Sequence, residues 1–266
     1  LNVTPSDRLS EEMLFNDREG FVKALNGVYI ELNTNELYGR NLTAGALDVM
    51  GQYYSVASSS HAFYNYGGLV YTGNDEKALF DNMWQKCYAV IACCNTIIEK
   101  CDERQDVLPG VYYGLYKGEA LALRAMLHLD MLRLFGPVYD ETSKTAECIP
   151  YVTNTDAQIS PLLSAEVVLE SVIGDLKTAL NLLKESDPVL TDGVRNEGNS
   201  IGDNALNYRQ FRLNYYAVKA LLVRAYAWGH DKSNALVTAE EILREVQVEG
   251  AEIFPFVTHA AATDGS

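Results

Sequence analysis

The stretch Gly118–Pro137, GEALALRAMLHLDMLRLFGP, decides the fold. Gly118, Ala122, Ala125 and Leu129 recur at helical spacing and make a small-residue stripe along which a second helix can approach closely. Leu123, Leu127, Met131 and Leu134 make a bulkier stripe on another face. A helix apolar on two faces lies inside a protein rather than on its surface. Glu119, Arg124, Asp130 and Arg133 interrupt the apolar run, and charges in such a place persist only when paired. Phe135-Gly136-Pro137 stops the helix, because proline cannot donate to it and disfavours a helical predecessor. The segment is a core helix of an all-α protein.

Working outward, Asn74 to about Glu103 predicts a long helix before it. Phe80, Trp84, Cys87, Ile91, Cys94, Ile98 and Cys101 alternate at spacings of four and three, a packing stripe in which cysteine acts as a small hydrophobe. The remaining cysteines, Cys93 and Cys148, complete no zinc pattern. Pro109-Gly110 marks a turn, so the two long helices form an antiparallel hairpin. Trp84 belongs to the stripe and reads as core, as does Trp228 farther on.

An earlier helix is predicted from Asp17 to about Leu32, with Asn16 as N-cap, Glu19 completing a capping box, and Phe21, Leu25, Val28 and Leu32 facing inward. Residues 33–73 are rich in Gly, Ser, Asn and Tyr and read as loop, with a short helix around Ala44–Tyr54 and a strand at Leu69–Tyr71. Pro137 to Pro161 reads as loop. Ser164 then caps a helix with inner positions Val168, Val172, Leu176, Ala179 and Leu183. Ser186 to Asn207 is a polar excursion, followed by helices at about Tyr208–Trp228 and Ser233–Gln247. The apolar tail Ile253–Val257 has no evident partner, and the fold is expected to continue past it.

The last helix pair carries a repeat spacing. Leu222 precedes Tyr226 by four positions, Ala235 follows nine later and Ala239 four after that, as in tetratricopeptide repeats. Lys219 and Val223 stand where that pattern has Trp and Gly, so the match is partial. Small Ala235 lets the second helix nest against the first, and such pairs bury a core between neighbours.

With 48% apolar and 21% charged residues, the 266-residue chain has the composition of a globular protein. A net charge of −15 and the lack of any Lys/Arg run exclude phosphate-backbone recognition, so no nucleic acid is expected as a partner. No window approaches the ~18 apolar residues of a membrane span. The chain starts at Leu1 without Met, which leads us to expect a mature or trimmed product.

Several segments together resemble the SusD/RagB family of outer-membrane nutrient-binding lipoproteins. They are LNVTPSD at the start, GFVKALNGVY (Gly20–Tyr29), the Trp84-x3-Tyr88-x2-Ile91-x3-Asn95 helix, GEALALRAMLHLDMLRLFGPV (Gly118–Val138), IPYV (Ile149–Val152), DLKTAL (Asp175–Leu180) and LNYYAVKALLVRAY (Leu213–Tyr226). The resemblance implies a mostly α, tetratricopeptide-like helix-pair scaffold with long irregular loops. Residues 1–266 would form one SusD-like domain lacking the C-terminal half of the family fold. It also implies a non-enzyme at the extracellular face of a Gram-negative outer membrane, held by lipid on an N-terminal Cys that this chain does not contain. Such a protein binds starch or another oligosaccharide and delivers it to a SusC-like TonB-dependent transporter. A peptide-binding member of the family and a tetratricopeptide-type adaptor are the alternatives.

Aromatic rings that lie under the C–H face of a sugar, flanked by carboxylates and amides for its hydroxyls, are the chemistry such a role needs. The stretch from Asp48 to Tyr71 has that composition, with His61 and Asn65 in it. Its candidate ligand contacts are Asp48, Gln52, Tyr53, Tyr54, Tyr64, Tyr66 and Tyr71. The same tyrosines suit packing at loop–helix contacts with their hydroxyls outward. No catalytic residue, metal ligand set or cofactor is expected: HExxH, GxSxG and Gly-rich phosphate loops are missing from the sequence. His128, alone on the Gly118–Pro137 helix, reads as a packed core histidine, and Glu240-Glu241 as a solvated helix face.

Overall fold

The two long helices form the hairpin that their sequences predict. In the computed structural model, which describes residues 12–156, 159–194, 204–248 and 251–254, α4 spans Asn74–Glu103 and α5 spans Tyr112–Phe135. The turn between them passes through Gly110 at φ 63°, a left-handed conformation that glycine adopts without cost. Ahead of them lie α1 (Arg18–Leu32), α2 (Ala46–Met50) and α3 (Tyr64–Gly67). After them come α6 (Ala165–Ser186), the single turn α7 (Val189–Asp192), α8 (Tyr215–Trp228) and α9 (Lys232–Val246). The helices stack as successive neighbours: α1 on α4, α4 on α5, α5 on α6, α6 on α8, and α8 on α9.

The predicted inner faces are the buried ones. Phe21, Leu25, Val28 and Leu32 of α1, and Val168, Val172, Leu176, Ala179 and Leu183 of α6, are all buried. On α4 the cysteine stripe is core: Cys87, Ile91, Cys94 and Cys101 are fully covered, and Phe80, Trp84 and Ile98 pack against them. Burial pushes the Cys101 thiol up to about 12 and raises Cys94 further, so neither is a thiolate near neutrality. On α5 the small-residue stripe does what its spacing predicts. A Cβ on Gly118 would stand 2.9 Å from Leu183 Cγ and 3.2 Å from the Ala179 carbonyl, so α6 packs too closely for a larger side chain.

Several boundaries differ from the sequence reading. The N-cap of α1 is Asp17, whose Oδ1 accepts from the Gly20 amide at 2.9 Å. Asn16 is engaged instead by Arg104, which donates to its Oδ1 at 3.3 Å. The loop at 137–161 contributes a short antiparallel ribbon, β1 (Glu147–Ile149) against β2 (Leu163–Ser164), too brief to carry alternation in sequence. No strand forms at Leu69–Tyr71, where Leu69 takes φ 55° in a turn. α8 begins seven residues later than expected, because Tyr208 is left-handed and Asn214 supplies the cap, accepting from Ala217 at 2.9 Å. Ile253 and Phe254 of the apolar tail find partners after a second ribbon, β3 (Gln247–Val248) and β4 (Ala251–Glu252). Phe254 meets Tyr216 edge-on at 6.0 Å. Residues 255–257 of that tail lie outside the described residues.

The charges of α5 are all paired. Glu119 accepts from Arg209 at 2.8 Å and from Arg212 at 3.4 Å, and Asp187 takes the rest of the Arg209 guanidinium. Asp130 accepts from Tyr38, Arg133 and Arg224. Arg124 holds Asp175 through two bonds. Around this last pair the segments that carry the family resemblance converge. Tyr151 donates to Asp175 at 2.5 Å, Arg124 donates to Asn95 at 2.9 Å, Asn95 donates to the carbonyls of Val152 and Asn154, and Tyr88 donates to that of Pro150. His128 completes the cluster as a core residue: its Nε2 accepts from the Val152 amide at 3.0 Å, so Nδ1 carries the proton and donates to the Arg124 carbonyl at 2.9 Å. The cluster ties an irregular strand, 149–154, to three helices by satisfying its backbone groups.

Lys219, in the repeat position that would hold Trp, is buried and donates to Glu241 and Glu245 of α9 at 3.2 and 2.7 Å. A salt bridge thus replaces an aromatic plug between the paired helices, and Glu241 is an ion-pair partner rather than merely solvated. Leu222 and Tyr226 are buried beside it.

Candidate functional site

Between α1 and α4 the chain folds into a small lobe with its own apolar centre. Ala46, Val49 and Tyr66 are buried there, with Met50, Val56, Phe63 and Tyr71 packed around them. Leu79 and Phe80, on the first turns of α4, join this centre to the main core. The rings meet edge-on: Phe63 on Tyr66 at 5.8 Å, and Tyr71 on Phe80 at 5.4 Å. The tyrosine-rich composition therefore serves two purposes. Tyr66 is 2% exposed and is the hub of the lobe, and Tyr71 braces it. Tyr53, Tyr54 and Tyr64 are 80%, 54% and 43% exposed and present their rings to solvent.

Two clefts cut into this lobe on either side of Tyr54, Ser55 and Val56, which line both. The first, about 430 Å³, is lined by Gln52, Tyr54, Tyr64, Asn65 and Val70, with Gly67 and Gly68 among its walls. The second, about 490 Å³, is lined by Val49, Tyr54, Ser58, His61 and Phe63, together with Ala44 and Ala57. Each is of the size that receives a small-molecule group. Of the predicted contacts, the first cleft brings together Gln52, Tyr54 and Tyr64. Asp48 and Tyr53 lie on the lobe outside both linings, and Tyr66 and Tyr71 stand behind.

Left-handed backbone edges the first cleft. Gln52 has φ 62°, and its Nε2 donates to the carbonyls of Val49 at 3.2 Å and Gly67 at 3.0 Å, bridging the α2 and α3 sides. Leu69, at φ 55°, sits between two wall residues. Such conformations are costly for non-glycine residues and collect at functional surfaces. Asn65 donates to Glu76 at 2.7 Å, which holds the Glu76 carboxyl below its usual range and fixes the amide with its carbonyl oxygen free to accept. The site thus offers two half-exposed phenol rings and two oriented amides.

The segment between the clefts has a further property. The backbone groups of Ser55, Val56 and Ala57 make no hydrogen bond among the described residues. Ser55, Val56, Phe63 and Val70 were not legible as site residues, since nothing in their spacing separates them from loop.

A third cleft, about 480 Å³, lies between α1 and α4 and is walled by Ala24, Gly27, Val28, Val90, Cys93 and Ile97. Its lining is largely apolar, and its polar side chains, Glu31 and Thr96, are already engaged by Lys86 and by the Ala92 carbonyl. Among the described residues no helix is long and apolar enough to cross a membrane, and no group of three or more His, Cys, Asp or Glu side chains is placed to hold a metal ion.

A SusD-like family described as starch-binding and associating with the outer membrane matches residues 2–191. Among curated relatives, SusD-like protein P38 of Formosa agariphila is 34% identical over 99 residues, covering 36% of this chain and 17% of that protein. SusD-like protein P2 of the same organism is 24% identical over 188 residues, covering 70% and 35%. Among solved structures, a SusD-like carbohydrate binding protein from Bacteroides vulgatus superposes with a TM-score of 0.66 at 21% identity, over 92% of this chain and 47% of that one. A SusD superfamily protein from the same species gives 0.68 at 17% identity, over 94% and 51%. The chain therefore spans about half the length of those structures and matches 17% and 35% of the length of the two curated relatives.

Proposed function

The chain belongs to the SusD/RagB family, and from that premise we propose that it is a non-catalytic cell-surface glycan-binding protein. Its role is to capture an oligosaccharide at the lobe of α2 and α3 and deliver it to a SusC-like TonB-dependent transporter. The protein would be held by an N-terminal lipid at the extracellular face of a Gram-negative outer membrane. The observation that carries the reading is the first cleft. Tyr54 and Tyr64 supply ring faces for the apolar side of a pyranose, and Gln52 and Asn65 supply amides for its hydroxyls. Asp48 and Tyr53 stand on the same lobe as outer contacts, while Tyr66, packed against Phe63, Tyr71 and Phe80, forms the core of the lobe. The helical stack presents the lobe on a rigid base, which limits the ordering cost of binding.

A second reading, peptide capture, is favoured by one feature. The unbonded backbone of Ser55–Ala57 offers a partner strand both donors and acceptors.

Affinity electrophoresis of the full-length mature protein in gels containing amylose, xylan, galactomannan, polygalacturonate or carrageenan tests the glycan reading. Retardation on at least one polysaccharide without release of reducing ends is expected. Migration unaffected by every polysaccharide, or measurable hydrolysis, would overturn it.

A further inference from the structure

The two clefts differ in chemistry, and the second points to a feature of the ligand. No carboxylate lines either cleft, although Asp and Glu number 36 in the chain against 21 Lys and Arg. The second cleft is lined instead by donor groups, and a cation lies near one of its walls. The guanidinium of Arg40 lies 5.8 Å from the centre of the Phe63 ring, which forms a wall of the cleft. Arg40 is exposed, its Nε donates to Asn41 Oδ1 at 3.1 Å, and no carboxylate pairs with it among the described residues. That bond orients the guanidinium plane and leaves the two terminal nitrogens available. Arg124, Arg209 and Arg224, by contrast, are committed to Asp or Glu.

His61 adds a second donor. Its Nδ1 accepts from the Phe63 amide at 3.1 Å, so the proton of the neutral ring sits on Nε2. The hydroxyl of Ser55 and the unbonded amides of Ser55, Val56 and Ala57 lie along the same cleft, while the Ser58 hydroxyl is engaged by Ser60 at 2.8 Å. N–H and O–H donors along the cleft, near a guanidinium that no carboxylate pairs among the described residues, suit an oxyanion bound by charge-assisted hydrogen bonds.

We infer that this second cleft receives the anionic substituent of an acidic glycan, a uronate carboxylate or a sulfate ester, while a neutral part of the chain lies in the first cleft across the Tyr54–Val56 ridge. The inference rests on the glycan-binding reading above and narrows its ligand class. It also runs against bulk electrostatics, because a protein of net charge −15 repels polyanions unless a local site overrides the field.

Titration calorimetry of the full-length mature protein tests it with oligosaccharides of polygalacturonate (carboxylate), carrageenan (sulfate), and amylose and xylan (neutral). An acidic oligosaccharide is expected to bind, and the carboxylate and sulfate arms identify the anion. Arg40→Gln is expected to weaken the acidic ligand about tenfold, the scale of a lost charge-assisted hydrogen bond, with thermal unfolding unchanged. Arg40→Lys should restore part of the affinity. Binding of neutral oligosaccharides alone, or acidic binding indifferent to Arg40→Gln, would overturn the anion site and leave the glycan reading standing. Binding of none of the four overturns the anion site, and the glycan reading falls with it only if galactomannan also fails to retard the protein.

Discussion

Arg124 of α5 forks onto Asp175 of α6, Nε to Oδ2 at 2.7 Å and Nη2 to Oδ1 at 2.8 Å, with both side chains largely withdrawn from solvent. The same guanidinium reaches Asn95 of α4, and the same carboxylate accepts from Tyr151. One ion pair thus fastens three helices and the segment 149–154. A charge left alone in such a place retains its desolvation cost without its partner's field.

Arg124→Ala should therefore lower the unfolding free energy by about 3–5 kcal/mol. Urea denaturation followed by circular dichroism measures this. A loss below about 1 kcal/mol, the range of exposed pairs, would mean that the pair is not structurally decisive.

His128 gives the fold a defined pH dependence. Burial lowers its pKa from 6.5 to about 3 in the folded protein. Below pH ~6.5 the unfolded chain takes up a proton that the folded chain refuses, so stability falls as the pH drops from there towards 3. The full slope is about 1.4 kcal/mol per pH unit. Above pH ~6.5 this histidine contributes no slope. In urea titrations at pH 7, 6, 5 and 4, His128→Gln should show a shallower decline than the wild type by roughly that amount. Parallel declines would mean that the folded protein binds the proton at His128.

Tyr54 and Tyr66 should separate binding from stability. Tyr54→Ala removes an exposed ring from both clefts, so glycan affinity should fall while the unfolding midpoint stays within about 0.5 kcal/mol of wild type. Tyr66→Ala empties the centre of the lobe and should cost about 3 kcal/mol, with binding lost as a consequence. If Tyr54→Ala kept full affinity on the retarding polysaccharide, the first cleft would not be the contact surface.

Gly118 tests the approach of α5 to α6. Gly118→Val puts side-chain atoms where Leu183 and the Ala179 carbonyl already lie. Overpacking of this kind costs about 1–3 kcal/mol, readable as a lowered thermal midpoint. Gly174, whose added Cβ would meet no atom within 4 Å, is the control: Gly174→Ala should be neutral or stabilising, since alanine favours a helix by about 1 kcal/mol over glycine.

The helices were legible because burial repeats along them. Phe21, Leu25, Val28 and Leu32, or Cys87, Cys94 and Cys101, keep one face of a helix in the core, and that periodicity is printed in the chain. The lobe was legible only as composition. Tyr54 and Tyr66 are the same residue type in similar local sequence, yet one is solvent-exposed and the other is sealed by Phe63, Phe80 and Tyr71. Their difference comes from contacts with α4, more than ten positions away, and no local period encodes it.

The helical scaffold, the close contact at Gly118, the core role of the cysteine stripe and the family are encoded along the chain. These follow from short-range spacing and from the rule that buried charges must be paired. Only the tertiary structure decided which partners those charges take, since Glu119 meets Arg209 and Asp130 meets Arg224 across some ninety positions. It also decided which tyrosines face solvent and that Arg40 stands beside Phe63. Charge pairing and ring burial depend on through-space distance, and in this lobe that distance is set by how the loops fold back onto α4.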